Sequence, residues 1–194
     1  MNDDFDVPDH RLLGLHIGHV VDREDPLKLG RVRVRIPGLI QDASAWAFPL
    51  GTTGGGSDRR GFFAVPEQGA EVGVLFQEGD VERPHYLAGH WGMPGGSTEI
   101  PTGARDLSRA ETPNVRVLET GRFLLVFDDR AGHETLRIED KGPGGAQIEF
   151  DGTALGLTVQ ATSALILKAE GLINIEGTTV VINGRLVLPG GGAI

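Results

Sequence analysis

The chain has 194 residues, 39% of them hydrophobic, 23% charged and only 6% aromatic, with a formal net charge of −9 and a pI near 5.1. That length suits one ordinary domain or two small ones, and the acidity argues against a nucleic-acid partner, which calls for a basic face. The absence of cysteine excludes disulfides and thiolate metal sites and points to synthesis in a cytoplasm, and no apolar run reaches the roughly 18 residues of a membrane helix.

In chain order, residues 1–13 read as an acidic arm carrying Asp3, Asp4, Asp6 and Asp9, with no apolar core of a secretory signal. Residues 14–92 hold about five strand signals: LGLHIGHVVD, GRVRVRIPG, SAWAFPLG, the pair FFAVP and AEVGVLFQEGD, and RPHYLAGHW. In the second, Val32, Val34 and Ile36 alternate with Arg31, Arg33 and Arg35, which predicts one buried and one solvated face. With 30 glycines and 11 prolines in the chain, the joins are turn-rich (DPLKLG, GTTGGGSDRRG, PEQG, EGDVERP), and this spacing predicts a small all-β barrel. Residues 93–120 are polar and weakly periodic and read as a linker, with an extended segment around Val115–Leu118.

From residue 121 to 194 the pattern becomes a ladder: FLLVFDD, ETLRIED, AQIEFDG, LGLTVQA, ALILKAE, LINIEG, TTVVING and LVLP. The spacing of rung centres shrinks from 11 residues (Val126 to Arg137) to 6 (Val181 to Val187). Leu136 and Ile138, Ile148 and Phe150, Leu157 and Val159, and Ile173 and Ile175 fall on one face. Arg137, Glu149, Thr158 and Asn174 fall on the other. A single meander of this kind leaves two sheet edges open and its apolar face against nothing. Repeat stacks solve this by closing on copies of themselves, and three is the smallest number that encloses an axis, so geometry predicts a homotrimeric prism. Stacked at ~4.8 Å spacing, the rungs would give a tapering needle on the order of 40 Å long.

The segments GHVVDREDPLKLGRVRVRIPGL, SAWAFPLGTTGGG and VPEQGAEVGVLFQEGDVERPHYLAGHW, in that order and spacing, resemble the OB-fold of the phage baseplate central spike and VgrG family. The ladder looks like that family's C-terminal trimeric β-helical needle. The resemblance implies an all-β protein, an N-terminal OB-fold barrel followed by a tapering needle that closes as an intertwined homotrimer, with its apex at the C-terminus. Only 13 residues precede the OB-fold, so the hub region that VgrG proteins carry would be a separate polypeptide. Residues 93–120 are too short for the lysozyme that some family spikes hold. The end PGGGAI lacks the His-x-His that clamps an apical iron in others.

Few residues suggest chemistry. His16 and His19 lie three apart on a strand and face opposite ways, and His85 and His90 lack a cysteine or carboxylate at ligand spacing. The carboxylate pairs Asp128/Asp129, Glu139/Asp140 and Glu149/Asp151 fit a glycosidase by type. They sit at strand ends or on the polar face, where charge keeps a sheet soluble. No catalytic residue, cofactor or metal is therefore assigned. Arg31, Arg33 and Arg35, with Arg59 and Arg60 in the glycine-rich loop, are the candidate contacts to a hub. Leu188, Pro189, Gly190, Gly191, Gly192, Ala193 and Ile194 form either a self-covering plug or a platform for a separate PAAR-like tip protein. The lack of a metal motif favours the platform.

The sequence thus reads as a non-enzymatic central spike of a contractile tail or phage-like injection particle. It would be made in the bacterial cytoplasm, assembled into a baseplate, and driven through a target envelope on sheath contraction. The alternatives are a nucleic-acid-binding OB protein, disfavoured by charge, and a carbohydrate-active β-helix, disfavoured by the short, narrowing ladder.

Overall fold

The computed structural model describes residues 11–51 and 56–187. The chain divides into two compact units, Met1–Ile100 and Pro101–Ile194. It is all-β, and its single α-helix among the described residues, α1 (Thr102–Arg105), is one turn long.

The first unit is an OB-like sheet of β1 (His16–Asp22), β2 (Arg33–Arg35), β3 (Phe48–Pro49), β4 (Glu71–Phe76) and β5 (Pro84–Leu87), in the order β2-β1-β4-β5-β3. All pairings are antiparallel except β3 with β5. The segment before β3 returns to β2: Val32 and Ala47 exchange backbone hydrogen bonds, and Ser44 donates to the Val34 carbonyl. The sheet therefore curls toward closure and encloses Val20, Val32, Val34, Ile36, Val72, Val74, Phe76 and Tyr86. The alternation in RVRVRI produces this, since its aliphatic residues all point inward. Gly18 lies on the inner face of β1, where a Cβ would sit 3.2 Å from both Ile36 and Val74, so the strands can close there only over glycine. FFAVP forms no strand, and Phe62 and Phe63 are exposed.

The second unit is an antiparallel meander of β6 (Val115–Glu119), β7 (Phe123–Asp128), β8 (Thr135–Asp140), β9 (Gln147–Asp151) and β10 (Gly156–Gln160), paired in chain order. Residues 101–114 lie over one face, where Val115, Leu124 and Val126 form a small core with Leu107 and Val117. Glu119 fastens this cover: its carboxylate accepts the backbone N–H (2.6 Å) and hydroxyl (2.9 Å) of Thr102 and the Lys141 ammonium (2.6 Å). β11 (Val180–Ile182) and β12 (Arg185–Val187) form a hairpin over Asn183-Gly184, both at positive φ as its tight turn requires. ALILKAE and LINIEG, expected as strands, form none. Their alternation is real, but they pair with no strand among the described residues, and a strand exists only with a partner. Leu188–Ile194, the expected tip platform, lie outside the described residues.

Candidate interaction surfaces

Strand β2 presents Arg33 and Arg35 on the outer face of the first unit. The Arg33 guanidinium donates to the Ser44 carbonyl at 2.7 Å and lies 6.0 Å from the Trp46 ring, while Arg35 is exposed. Arg31, which the alternation puts in the same stripe, is largely covered. It precedes β2, is 9% exposed, and donates Nη2 and Nε to Asp25 Oδ1 at 2.6 and 3.1 Å. Its guanidinium also lies over the Trp46 and Phe48 rings, at 5.5 and 5.3 Å. Arg31 is thus held by intramolecular partners and has little surface left to offer. Arg59 and Arg60 are exposed in the turn closed by the Ser57–Arg60 bridge.

Asp25, which the sequence does not single out, organises the connection between β1 and β2. Its carboxylate is 3% exposed and accepts the backbone N–H groups of Leu27 (3.0 Å), Leu29 (2.7 Å) and Arg31 (3.3 Å) besides the Arg31 guanidinium. These bonds, that of the Arg31 side chain first, hold the carboxyl far below the usual carboxylate range, against the opposing effect of its burial. The signal for it in the sequence is Asp-Pro ahead of a short run ending in glycine, a setting in which aspartate caps its own turn.

The candidates for chemistry are engaged structurally. The His16 ring packs edge-on against Phe76, its centroid 5.6 Å away, while His19 pairs across the strands with Glu71 and Arg35. His90 contacts Glu71 at 2.8 Å and the His85 ring lies beside Phe48. Among the carboxylates, Asp128 takes the Arg130 fork at 2.8–3.1 Å, with Arg130 reaching Glu111 at 3.2 Å. Asp140 takes the Arg122 fork at 2.8 and 2.7 Å, and Asp151 caps the amides of Thr153 and Ala154. The Arg122 pair, helped by the Gly142 amide, brings the Asp140 carboxyl down to about 2. A polar cleft of about 440 Å³ beside α1 is lined by Asp128, Arg130, His133, Arg137 and Asp151, of which Asp128 and Arg130 pair with each other and Asp151 caps the following turn. Among the described residues no cluster of three or more His, Cys, Asp or Glu is arranged to hold a metal.

The second face of the β6–β10 sheet is exposed and apolar among the described residues. Cross-strand register lines up Leu118, Leu125, Ile138, Ile148 and Val159 in one row, and Phe127, Leu136, Phe150 and Leu157 in the next. Of these, Ile138, Phe150 and Leu157 are 45%, 47% and 59% exposed. Beyond the sheet, Leu165, Ile166, Leu167 and Leu172 are more than half exposed as well. An apolar field of this extent on a folded chain marks an interaction surface.

The first unit is a curled five-stranded sheet with a parallel β3–β5 pairing, and the second is an all-β meander with an exposed apolar face. Residues 16–91 match the family model of the Type VI secretion system/phage-baseplate injector OB domain. That match covers most of the first unit and less than half of the chain. No curated protein matches the chain. No helix among the described residues is long and apolar enough to cross a membrane.

Proposed function

We propose that the protein is the homotrimeric central spike of a contractile tail or phage-like injection particle. Its OB unit would seat on a separate hub through Arg33, Arg35, Arg59 and Arg60, and its second unit would form the piercing needle. The observation that carries this reading is the apolar face of the β6–β10 sheet. It is patterned like a core yet left exposed by the described residues, and copies of the same face around an axis would bury it. The unpaired segments at 164–177, with their strand-like alternation, and the open edge of β10 would supply what strand pairing between copies needs. Closure would leave no free edge, so opening such a needle would be costly, as suits a part driven through an envelope. The apex, Leu188–Ile194, would carry a separate PAAR-like tip. Light-scattering mass measurement tests the reading: about three times 20.6 kDa is expected, and a species of 20.6 kDa at micromolar concentration would exclude it.

A further inference from the structure

The β11–β12 hairpin has little to hold it closed within one chain. Its strands pair only with each other, and Val181, Ile182 and Leu186 are 55%, 54% and 55% exposed. A two-stranded hairpin without further support is marginally stable in water, so a lone chain opens this one often. Its loop is the pair Asn183-Gly184, at φ +50 and +74, a conformation that calls for glycine at the second position. Both residues are exposed. Among the described residues, the Asn183 side-chain amide has no hydrogen-bond partner and the Gly184 backbone N–H donates to none. The chain's other described asparagines are held. Asn114 Nδ2 donates to the Ala110 carbonyl at 3.3 Å, and Asn174 Nδ2 donates to Glu176 at 2.7 Å. They precede Val115 and Ile175, whose branched side chains crowd the following backbone nitrogen.

An asparagine amide beside an unhindered backbone nitrogen is open to a reaction that needs no enzyme. The Gly184 nitrogen attacks Asn183 Cγ and forms a new C–N bond. The Cγ–Nδ2 bond breaks, and ammonia leaves with the proton given up by the Gly184 amide. Water then opens the cyclic imide at either carbonyl, giving aspartate or isoaspartate with no change of oxidation state. We propose that Asn183 is such a modification site, deamidating in unassembled chains and protected by assembly. The protection rests on the trimer reading above: copies that bury the apolar side chains of the hairpin also hold its loop closed. The product carries a carboxylate where a neutral amide stood. Its isoaspartate form also adds a backbone methylene to a two-residue loop, which disrupts the Ile182–Arg185 register. Chains that age before they assemble thereby lose the hairpin.

The test is peptide mapping by mass spectrometry, with isoaspartyl methyltransferase labelling, of full-length protein aged at neutral pH. The oligomeric mass of each sample is read by light scattering. The unaltered protein is compared with Ile138→Asp, which leaves the hairpin sequence intact, carries a charge in the exposed sheet face and is expected to stay monomeric. In the monomer, Asn183 is expected to convert at least about tenfold faster than Asn114 or Asn174. Its rate there is expected to lie within about tenfold of the rate in urea, where the loop is fully open. In the trimer, conversion at Asn183 is expected to fall by about tenfold or more. Conversion in the monomer no faster at Asn183 than at the other two asparagines overturns the site. Equal rates at Asn183 in trimer and monomer overturn the protection and leave the trimer reading intact. An unaltered protein that is itself monomeric overturns the trimer reading and the protection with it, while its own rate at Asn183 still decides the site.

Discussion

Replacing Ile138 by aspartate puts a charge in the middle of the bare sheet face, on the central strand of five, with Leu125 and Ile148 as cross-strand neighbours. Fully burying a large aliphatic or aromatic side chain is worth about 1.5–3 kcal/mol. Side chains on this face are about half exposed, Ile138 at 45% and Phe150 at 47%, so each would gain about 1 kcal/mol on closure. Summed over the nine side chains of the two rows, closure would contribute about 9 kcal/mol per chain, enough to offset an association cost of about 4–15 kcal/mol per event once strand pairing is added. Aspartate at position 138 forfeits that gain and adds several kcal/mol for each carboxylate taken out of water, with the copies facing one another across the axis. In the separated chain the site is open to solvent, so the cost to each unit's own fold is small. The assay is sedimentation velocity at about 10 µM beside Thr158→Asp, a control on the opposite, exposed face. Ile138→Asp is expected to run as a monomer and the control as a trimer. A trimeric Ile138→Asp, resistant to SDS without boiling, would refute the reasoning.

Three further outcomes are expected. Val34 is fully enclosed, so Val34→Ala should cost the first unit about 2–3 kcal/mol. Both tryptophans, Trp46 and Trp91, lie in that unit, and the shift should appear in the urea midpoint followed by tryptophan fluorescence. The Asp140 carboxyl, brought down to about 2 from its ordinary 3.8 by Arg122, adds stability that is complete above about pH 5. That stability declines as the pH falls through about 4 toward 2, because the unfolded chain takes up the proton first. Thermal melts by far-ultraviolet circular dichroism should show this slope for the second unit, and Arg122→Gln should flatten it. Deleting Pro189–Ile194 should abolish capture of a PAAR-like tip protein while leaving the trimer mass unchanged, and capture that persists would remove the platform.

The first unit was legible because its pattern and its core are the same object. The alternation of Val32, Val34 and Ile36 with arginines states which face is buried, and those three side chains are 0%, 0% and 3% exposed. The same rule misplaces Arg31. Alternation sends it to solvent with Arg33 and Arg35, but its length and its position ahead of β2 let it reach back to Asp25. No periodicity encodes that contact, since it joins a turn residue to a strand flank through a side chain. The exposure of Leu27 and Leu29 in that turn was invisible for a related reason. A sequence shows that they are apolar, while the Asp25 hydrogen bonds to their amides exist only once the loop has folded.

The second unit shows where chain-level reading stops. Its pattern predicts an apolar face, with Ile138, Ile148, Phe150 and Leu157, and a polar one, with Arg137, Glu149 and Thr158. In the folded chain residues 101–114 cover Leu124 and Val126, on the polar side of the sheet, and the aliphatic rows stay open. The burial that the pattern specifies is therefore absent from one chain. Conserving an unused apolar face would carry an aggregation risk on every copy, so the pattern is economical only if that face is a core at the level of several chains. The segments ALILKAE and LINIEG repeat the point in the hydrogen-bonding direction. They form no strand among the described residues, and Asn174 donates to Glu176 at 2.7 Å, two residues on. Both deficits, a face without a cover and strands without an edge, are of the kind that identical copies meeting around an axis remove together.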